Sequence, residues 1–336
     1  MNYVRLGRTG LKVSEYCMGG DNFGGQMDEA ESLRVVAAAF EGGVNFIDTA
    51  NVYEEGRSET YVGKFMQGRR YDVILASKGN GRLGLGPNDR QVSRKYAMQA
   101  IDDSLRRLKT DYIDLYQIHD FPPDVPIDEF VLAYSDIVQS GKARYIGVAN
   151  FAAFQLVEAL WQAEKLGVRR FDCVQSRYSL LARDPERELF PVCKEYGFGV
   201  MAFSPRAGGL LLGQDLHFQA EPGSRFSPDF RHYQSFRNTY WSQANFDVVE
   251  KIVAVAKKYG VSMNALTSQW VISNPAVTVC IMGAHTVEHI QSNLEAWNED
   301  VPQEALDEAT AASEAVRTTF SEVKGTYNQD YTSSLR

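Results

Sequence analysis

Two hydrophobic periods take turns along almost the whole chain. Short apolar runs rich in β-branched and aromatic residues fall at 16–18, 44–47, 73–76, 112–118, 144–149, 171–174, 199–203 and 277–281. They predict eight strands, and several are near-continuously apolar, as strands buried on both faces of a parallel sheet are. Between them, apolar residues recur at three- and four-residue steps. Leu33, Val36, Ala37 and Phe40 make one stripe over 29–41; Ala97, Ile101 and Leu105 make another over 92–108; Leu156, Leu160 and Ala163 a third over 154–166. These spacings predict amphipathic helices. Residues 3–14 read as a hairpin turning between Gly7 and Gly10, and 303–317 as one more helix.

Eight strand–helix units with right-handed crossovers are most simply closed on themselves. The expected fold is therefore α/β, a (β/α)8 TIM barrel with an N-terminal β-hairpin and extended loops at its C-terminal face. An open, doubly wound sheet is the rival. It would want a G-x-G-x-x-G turn after the first strand, and the glycines of 18–25 do not follow that order. No linker interrupts the pattern, so a single domain over 1–336 is expected. The longest irregular stretch, 208–240, reads as a binding loop or lid, or as a surface excursion packed on itself. The polar tail at 318–336 is expected to be flexible or to fold over the site.

Composition narrows the function classes. A net charge of −8 without any run of Lys or Arg argues against nucleic-acid binding. No stretch reaches the roughly 20 apolar residues of a membrane span. Cys17, Cys173, Cys193 and Cys280 form no C-x-x-C pair, and three of them lie in strand-like runs. Buried free thiols and a reducing compartment follow. With no apolar leader in the opening residues, a cytoplasmic location is expected. A monomer and a homo-oligomer are both compatible with the sequence.

The candidate chemistry sits where strands end. The second strand ends in Asp48, the third in Lys78 and the fourth in His119, while Tyr53 follows Asp48 by five residues. In a barrel, side chains at the C-terminal ends of strands converge on one mouth. A free Tyr, with a pKa of about 10, holds its proton too firmly for easy transfer. A neighbouring ammonium lowers that value, and an Asp beside the Lys keeps it charged. Tyr53 then reads as a general acid for an oxygen gaining negative charge, with His119 hydrogen-bonded to the same oxygen. That set suits hydride reduction of an aldehyde or ketone. No H-x-H or H-E-x-x-H pair is present to hold a metal.

The segments 43–53, 77–78, 111–119, 147–151 and 203–205, and the stretch from Gly283 to Leu294, together resemble the aldo-keto reductase superfamily in content and order. Residues 6–14 resemble that family's barrel-bottom hairpin. The resemblance implies a catalytic tetrad of Asp48, Tyr53, Lys78 and His119. It implies a nicotinamide carboxamide held by Asn150 and Gln175 and a ring stacked on Phe203. Gly20 and Asp48 would lie near the same end. The loop from Ser204 through Pro205, Arg206 and Gly208 would cover the pyrophosphate. Gly283, His285, His289 and Asn293 would hold the adenosine end.

Three departures from the family's pattern stand out. Ala149 replaces a serine usual beside the asparagine, which removes one carboxamide contact. Arg206 stands where leucine is usual, and either reaches the pyrophosphate or points outward. His285 and His289 stand where relatives often carry Arg or Gln around a 2′-phosphate. NADP(H) is expected ahead of NAD(H), with a modest advantage that grows at acid pH as histidine protonates. The expected substrate is a small-molecule carbonyl or alcohol, touched by Tyr53, His119, Asp21 and Asp120. The two carboxylates would suit a hydroxyl-rich substrate, unless they point to solvent or cap backbone amides. The aromatics of 226–241 would instead suit an aromatic one. The same residues leave open a nicotinamide-binding regulatory subunit with little turnover, or a metal-assisted barrel hydrolase.

Overall fold

The computed structural model describes residues 1–317 other than 82, 83, 85, 90, 91, 214–218 and 231. The chain opens with a hairpin, β1 (Tyr3–Arg5) and β2 (Lys12–Ser14), paired antiparallel with Val4 opposite Val13. Strands and helices then alternate. They run β3 (Tyr16–Gly19), α1 (Glu29–Glu41), β4 (Phe46–Asp48), α2 (Arg57–Phe65), β5 (Ile74–Gly79), α3 (Arg94–Leu108), β6 (Ile113–Ile118), α4 (Ile127–Gln139), β7 (Ala143–Ala149) and α5 (Ala153–Leu166). There follow β8 (Cys173–Arg177), α6 (Leu189–Tyr196), β9 (Gly199–Phe203), α7 (Tyr233–Tyr240), α8 (Gln243–Tyr259), α9 (Met263–Ser273), β10 (Val279–Met282), α10 (Val287–Asn298) and α11 (Gln303–Ser313). Strands β3 to β10 are all parallel, in sequence order, and β10 closes on β3. The architecture is the expected (β/α)8 barrel with an N-terminal hairpin.

The barrel interior is built in layers. Alternate residues of a strand face the same way. Cys17, Phe46, Ala76, Leu115, Cys173 and Met201 pack together inside, with Leu6 and Val13 of the hairpin closing the bottom. The hairpin docks by close backbone approach: Gly7 has φ +56°, and a Cβ there would meet the Gly199 backbone nitrogen at 2.3 Å. Two residues above this apolar layer, on the same strand faces, stand Asp48, Lys78, Gln117, Gln175 and Phe203. The register sets Lys78 beside Gln117 and Ala149 beside Gln175. One strand repeat thus turns an apolar core into a polar floor. A larger core, including Val35, Ile101, Tyr134 and Leu156, fills the space between barrel and helices.

Element bounds differ from the sequence reading where polar residues continue a strand. The third strand runs on through Ser77 and Lys78 to Gly79, and the sixth through Gln175 and Ser176 to Arg177. Apolar runs stop at the core, but the hydrogen-bonded ladder continues into the mouth. The stretch 208–240 is less irregular than expected. It begins within a short 3-10 segment, Ala207–Leu212, and ends in α7. Its aromatics pack largely on one another: Phe226 lies 4.9 Å from Trp241 and 6.2 Å from Phe236, centre to centre. The tail at 318–336 lies outside the described residues.

Candidate active site

Four side chains from consecutive units meet at the barrel mouth. Lys78 Nζ donates to Asp48 Oδ2 at 2.5 Å, to the Thr49 carbonyl at 3.0 Å and to the Tyr53 hydroxyl oxygen at 3.1 Å. The Tyr53 and His119 rings meet edge to face, 5.6 Å between centres. Asp48 Oδ1 accepts from Gln117 Nε2 at 3.2 Å and from Gln175 Nε2 at 3.0 Å, so both carboxylate oxygens are engaged. Tyr53 opens a turn whose next three residues, Glu54, Glu55 and Gly56, all have positive φ. Such backbone is costly for side-chain-bearing residues and gathers at functional sites. It swings Tyr53 back over the mouth before α2 begins.

Burial governs the protonation states. It opposes the charge on Lys78, but Asp48 and Tyr53 outweigh it and hold the ammonium above its ordinary value. Burial pushes the Tyr53 phenol up to about 12, with Lys78 pulling the other way and Asp48 adding to the rise. The expectation that Lys78 leaves Tyr53 with a lowered pKa is therefore corrected. The ammonium only limits a larger rise caused by desolvation. Burial and Lys78 lower His119 to about 3, which leaves a neutral imidazole with one N–H to donate.

A cavity of about 780 Å³ lies over this floor, within the size range of small-molecule sites. Its lining includes Gly20, Asp21, Asp48, Tyr53, His119, Asn150, Gln175 and Phe203. It also includes Ser204, Pro205, Arg206, Gly208, Gly283, His285, His289 and Asn293. Lys78 lies fully buried behind Tyr53 rather than in the lining. Asn150 and Ser204, both with φ 58°, hold left-handed backbone at the cavity wall. Asn150 donates its amide to the His119 carbonyl and to Asp120 Oδ1, and Gln175 donates to Asp48. Both therefore present their amide oxygens as acceptors.

Several expectations change on contact with the geometry. Arg206 does not point outward. Its guanidinium donates to Asn293 Oδ1 at 2.8 Å, to the Gly283 carbonyl at 3.0 Å and to Asn264 Oδ1 at 3.3 Å, tying the loop after β9 to α10, to the loop after β10 and to α9. Asp120 is outside the cavity lining, because Asn150 draws its carboxylate aside. Asp21 neither points freely to solvent nor caps a helix. It pairs with Arg225 at 2.8 Å, across the cavity. Burial, with Arg225 next, lowers His285 to about 4, so this ring stays neutral where the sequence reading had it protonating.

The sequence reading missed Arg225, Arg177, Asn22 and Asn264, all in the lining. Arg225 and Asp21 are 204 positions apart, and nothing in one sequence pairs them. Arg177 lies three residues past the predicted end of its strand, at 174. Of the aromatics singled out at 226–241, Phe236 and Tyr240 line the cavity. Among the described residues no group of three or more His, Cys, Asp or Glu is placed to hold a metal ion, and no helix is long and apolar enough to cross a membrane.

A closed parallel barrel with a lysine-bridged Asp and Tyr at its mouth defines a narrow class of oxidoreductases. The Aldo/keto reductase family profile matches residues 15–314, and the chain belongs to that family. Its activity is accordingly that of an NAD(P)H-dependent oxidoreductase acting on a small molecule. The chain is 37% identical to the uncharacterized oxidoreductase YrpG of Bacillus subtilis (strain 168), over 91% of this chain and 94% of that protein. It is 34% identical to a probable voltage-gated potassium channel subunit beta of Oryza sativa subsp. japonica, over 88% and 91%. It is 32% identical to a putative aryl-alcohol dehydrogenase of Schizosaccharomyces pombe (strain 972 / ATCC 24843), over 88% and 90%.

Proposed function

We propose that the chain works as one barrel domain that reduces an aldehyde or ketone, with Tyr53 as the proton donor. The observation that carries this reading is the Lys78 ammonium, bridging Asp48 and the Tyr53 hydroxyl at the floor of the cavity. A nicotinamide cofactor supplies the hydride when bound. The lining fits such a molecule. Asn150 and Gln175 offer amide oxygens to a carboxamide N–H at one end, and Phe203 offers a ring for stacking. Arg206 and Arg225 bring positive charge to the loops after β9, where barrels commonly hold phosphate.

In this reading the Tyr53 hydroxyl hydrogen-bonds the substrate oxygen and gives up its proton as that oxygen gains charge. Lys78 stabilises the phenolate left behind, and Asp48 keeps Lys78 charged and in place. Neutral His119 donates its N–H to the same oxygen and fixes the carbonyl's direction. Burial keeps Tyr53 protonated, so the proton that reduction consumes is in place, and Lys78 offsets part of the cost of releasing it. NADP(H) is placed ahead of NAD(H), with Asn293, His285 and His289 near the adenosine end.

The test is a steady-state assay of NADPH oxidation with a panel of aldehydes and ketones, beside a titration of cofactor binding by fluorescence. Binding with turnover supports the reading. Tight binding without turnover of any carbonyl favours a second one, a cofactor-binding subunit of a larger assembly. The likeness to a probable channel subunit beta supports that alternative.

A further inference from the structure

Among the described residues, the cavity carries more cation than its acids balance. Two described carboxylates line it, and each has a partner: Asp48 is held by Lys78 and Asp21 by Arg225. Arg206 is held by two asparagines and a carbonyl on the cofactor side. Arg177 remains. It is the last residue of β8, two beyond Gln175 and so on the same strand face, one layer higher in the mouth. It makes no hydrogen bond or ion pair among the described residues, and its Nε is buried without a partner. The guanidinium lies 5.7 Å from the centre of the Tyr240 ring, which holds it against the wall by cation–π contact.

The other half-buried arginines among the described residues find an acid or a backbone carbonyl, as Arg170 does at Phe171 and Tyr196 and Arg237 at Phe226. Arg183, six residues on, binds Glu186, Glu314 and Ser313; Arg70 binds Asp114, and Arg107 binds Glu59. A half-buried arginine left without an acid, braced by an aromatic ring at a cavity wall, is a receptor for an anion. The cofactor's phosphates have Arg206 and Arg225 at the loop side. Arg177 stands on the strand that carries Gln175, in the cavity shared with Tyr53 and His119.

We infer that Arg177 binds an anionic group of the substrate, so that the preferred carbonyl compounds carry a carboxylate or a comparable anion away from the C=O. This inference rests on the reductase reading above and names its substrate class. The test compares 4-carboxybenzaldehyde with its methyl ester, and includes 4-nitrobenzaldehyde as a neutral control. The expected result is a kcat/KM for the acid about tenfold or more above that for the ester, carried mainly by KM and falling with added salt. Arg177→Gln is expected to bring the acid-to-ester ratio close to one, and Arg177→Lys to restore part of it. Equal kcat/KM for acid and ester in the unmodified protein overturns the inference while leaving the reductase reading intact. So does an R177Q variant that loses NADPH affinity and slows acid and ester alike, since that marks a cofactor contact. If none of the three aldehydes is reduced although NADPH binds, the reductase reading falls and the inference falls with it.

Discussion

Lys78 Nζ lies 3.1 Å from the Tyr53 hydroxyl oxygen, and both are set by strand register and one left-handed turn. If that contact is how the proton is delivered, removing the hydroxyl removes chemistry and spares binding. Tyr53→Phe is expected to lower kcat by about 10²- to 10⁴-fold, the usual worth of a general acid. Cofactor affinity, read by fluorescence quenching, should stay within about twofold, because a hydroxyl contact realised in the transition state adds little to ground-state binding. A variant that keeps a tenth of its activity would point to another donor.

The pH dependence follows from the direction of the shifts. In the proposed mechanism reduction needs Tyr53 protonated, and burial, which pushes the phenol up to about 12, keeps it so. Its kcat should therefore show no fall between about pH 6 and pH 9. Oxidation of the matching alcohol needs the phenolate, which is scarce over the same range. Its rate should climb by up to about tenfold per pH unit. His119, lowered to about 3, contributes no acid limb in this window. Profiles of kcat in both directions check this, and a reduction rate that halves near neutrality would contradict it.

If His285 meets the 2′-phosphate, as proposed, its charge bears on cofactor choice. Lowered to about 4 by burial and Arg225, it stays uncharged across the physiological range. A neutral ring offers a 2′-phosphate one hydrogen bond and no charge. The NADPH-to-NADH ratio of kcat/KM is thus expected to change by less than about threefold between pH 8 and pH 6. His285→Arg, which adds a permanent and bidentate cation, should raise the ratio by about tenfold. A ratio in the unmodified protein that rises tenfold on acidification would show that the ring does protonate on the phosphate.

The barrel was legible because its signals are local. Each apolar run marks a strand's core segment, and each three- to four-residue stripe marks a helix. The meeting of the four candidate side chains was legible for a related reason: Asp48 ends β4, Lys78 stands one residue before the end of β5, His119 stands one past β6, and the fold brings strand ends together. Arg177 was not legible, because the run at 171–174 stops where the barrel's apolar core stops, and the ladder carries on without an apolar signal. Nor was the Asp21–Arg225 pair, which joins the loop after β3 to the stretch between β9 and α7. The rise in the Tyr53 pKa was out of reach for a different reason. The sign depends on how desolvation compares with the pull of Lys78, and only coordinates give the depth of burial.

The floor of the site rests on a second buried ion pair. Glu59 of α2 is fully buried, accepts from Ser77 Oγ at 2.5 Å and pairs with Arg107 of α3 at 2.7 Å. Ser77 precedes Lys78 on β5, so this carboxylate buttresses the strand that presents the lysine. Arg107→Ala leaves the carboxylate buried with one hydroxyl partner, and is expected to destabilise the fold by about 3–5 kcal/mol. Replacing both charges together, with Glu59→Leu and Arg107→Leu, removes the stranded charge and should cost much less than the single change. Urea unfolding of the three proteins measures both numbers. If the double variant were as unstable as Arg107→Ala, the loss would lie in packing around Gly56, where the Arg107 chain sits, and not in the charge.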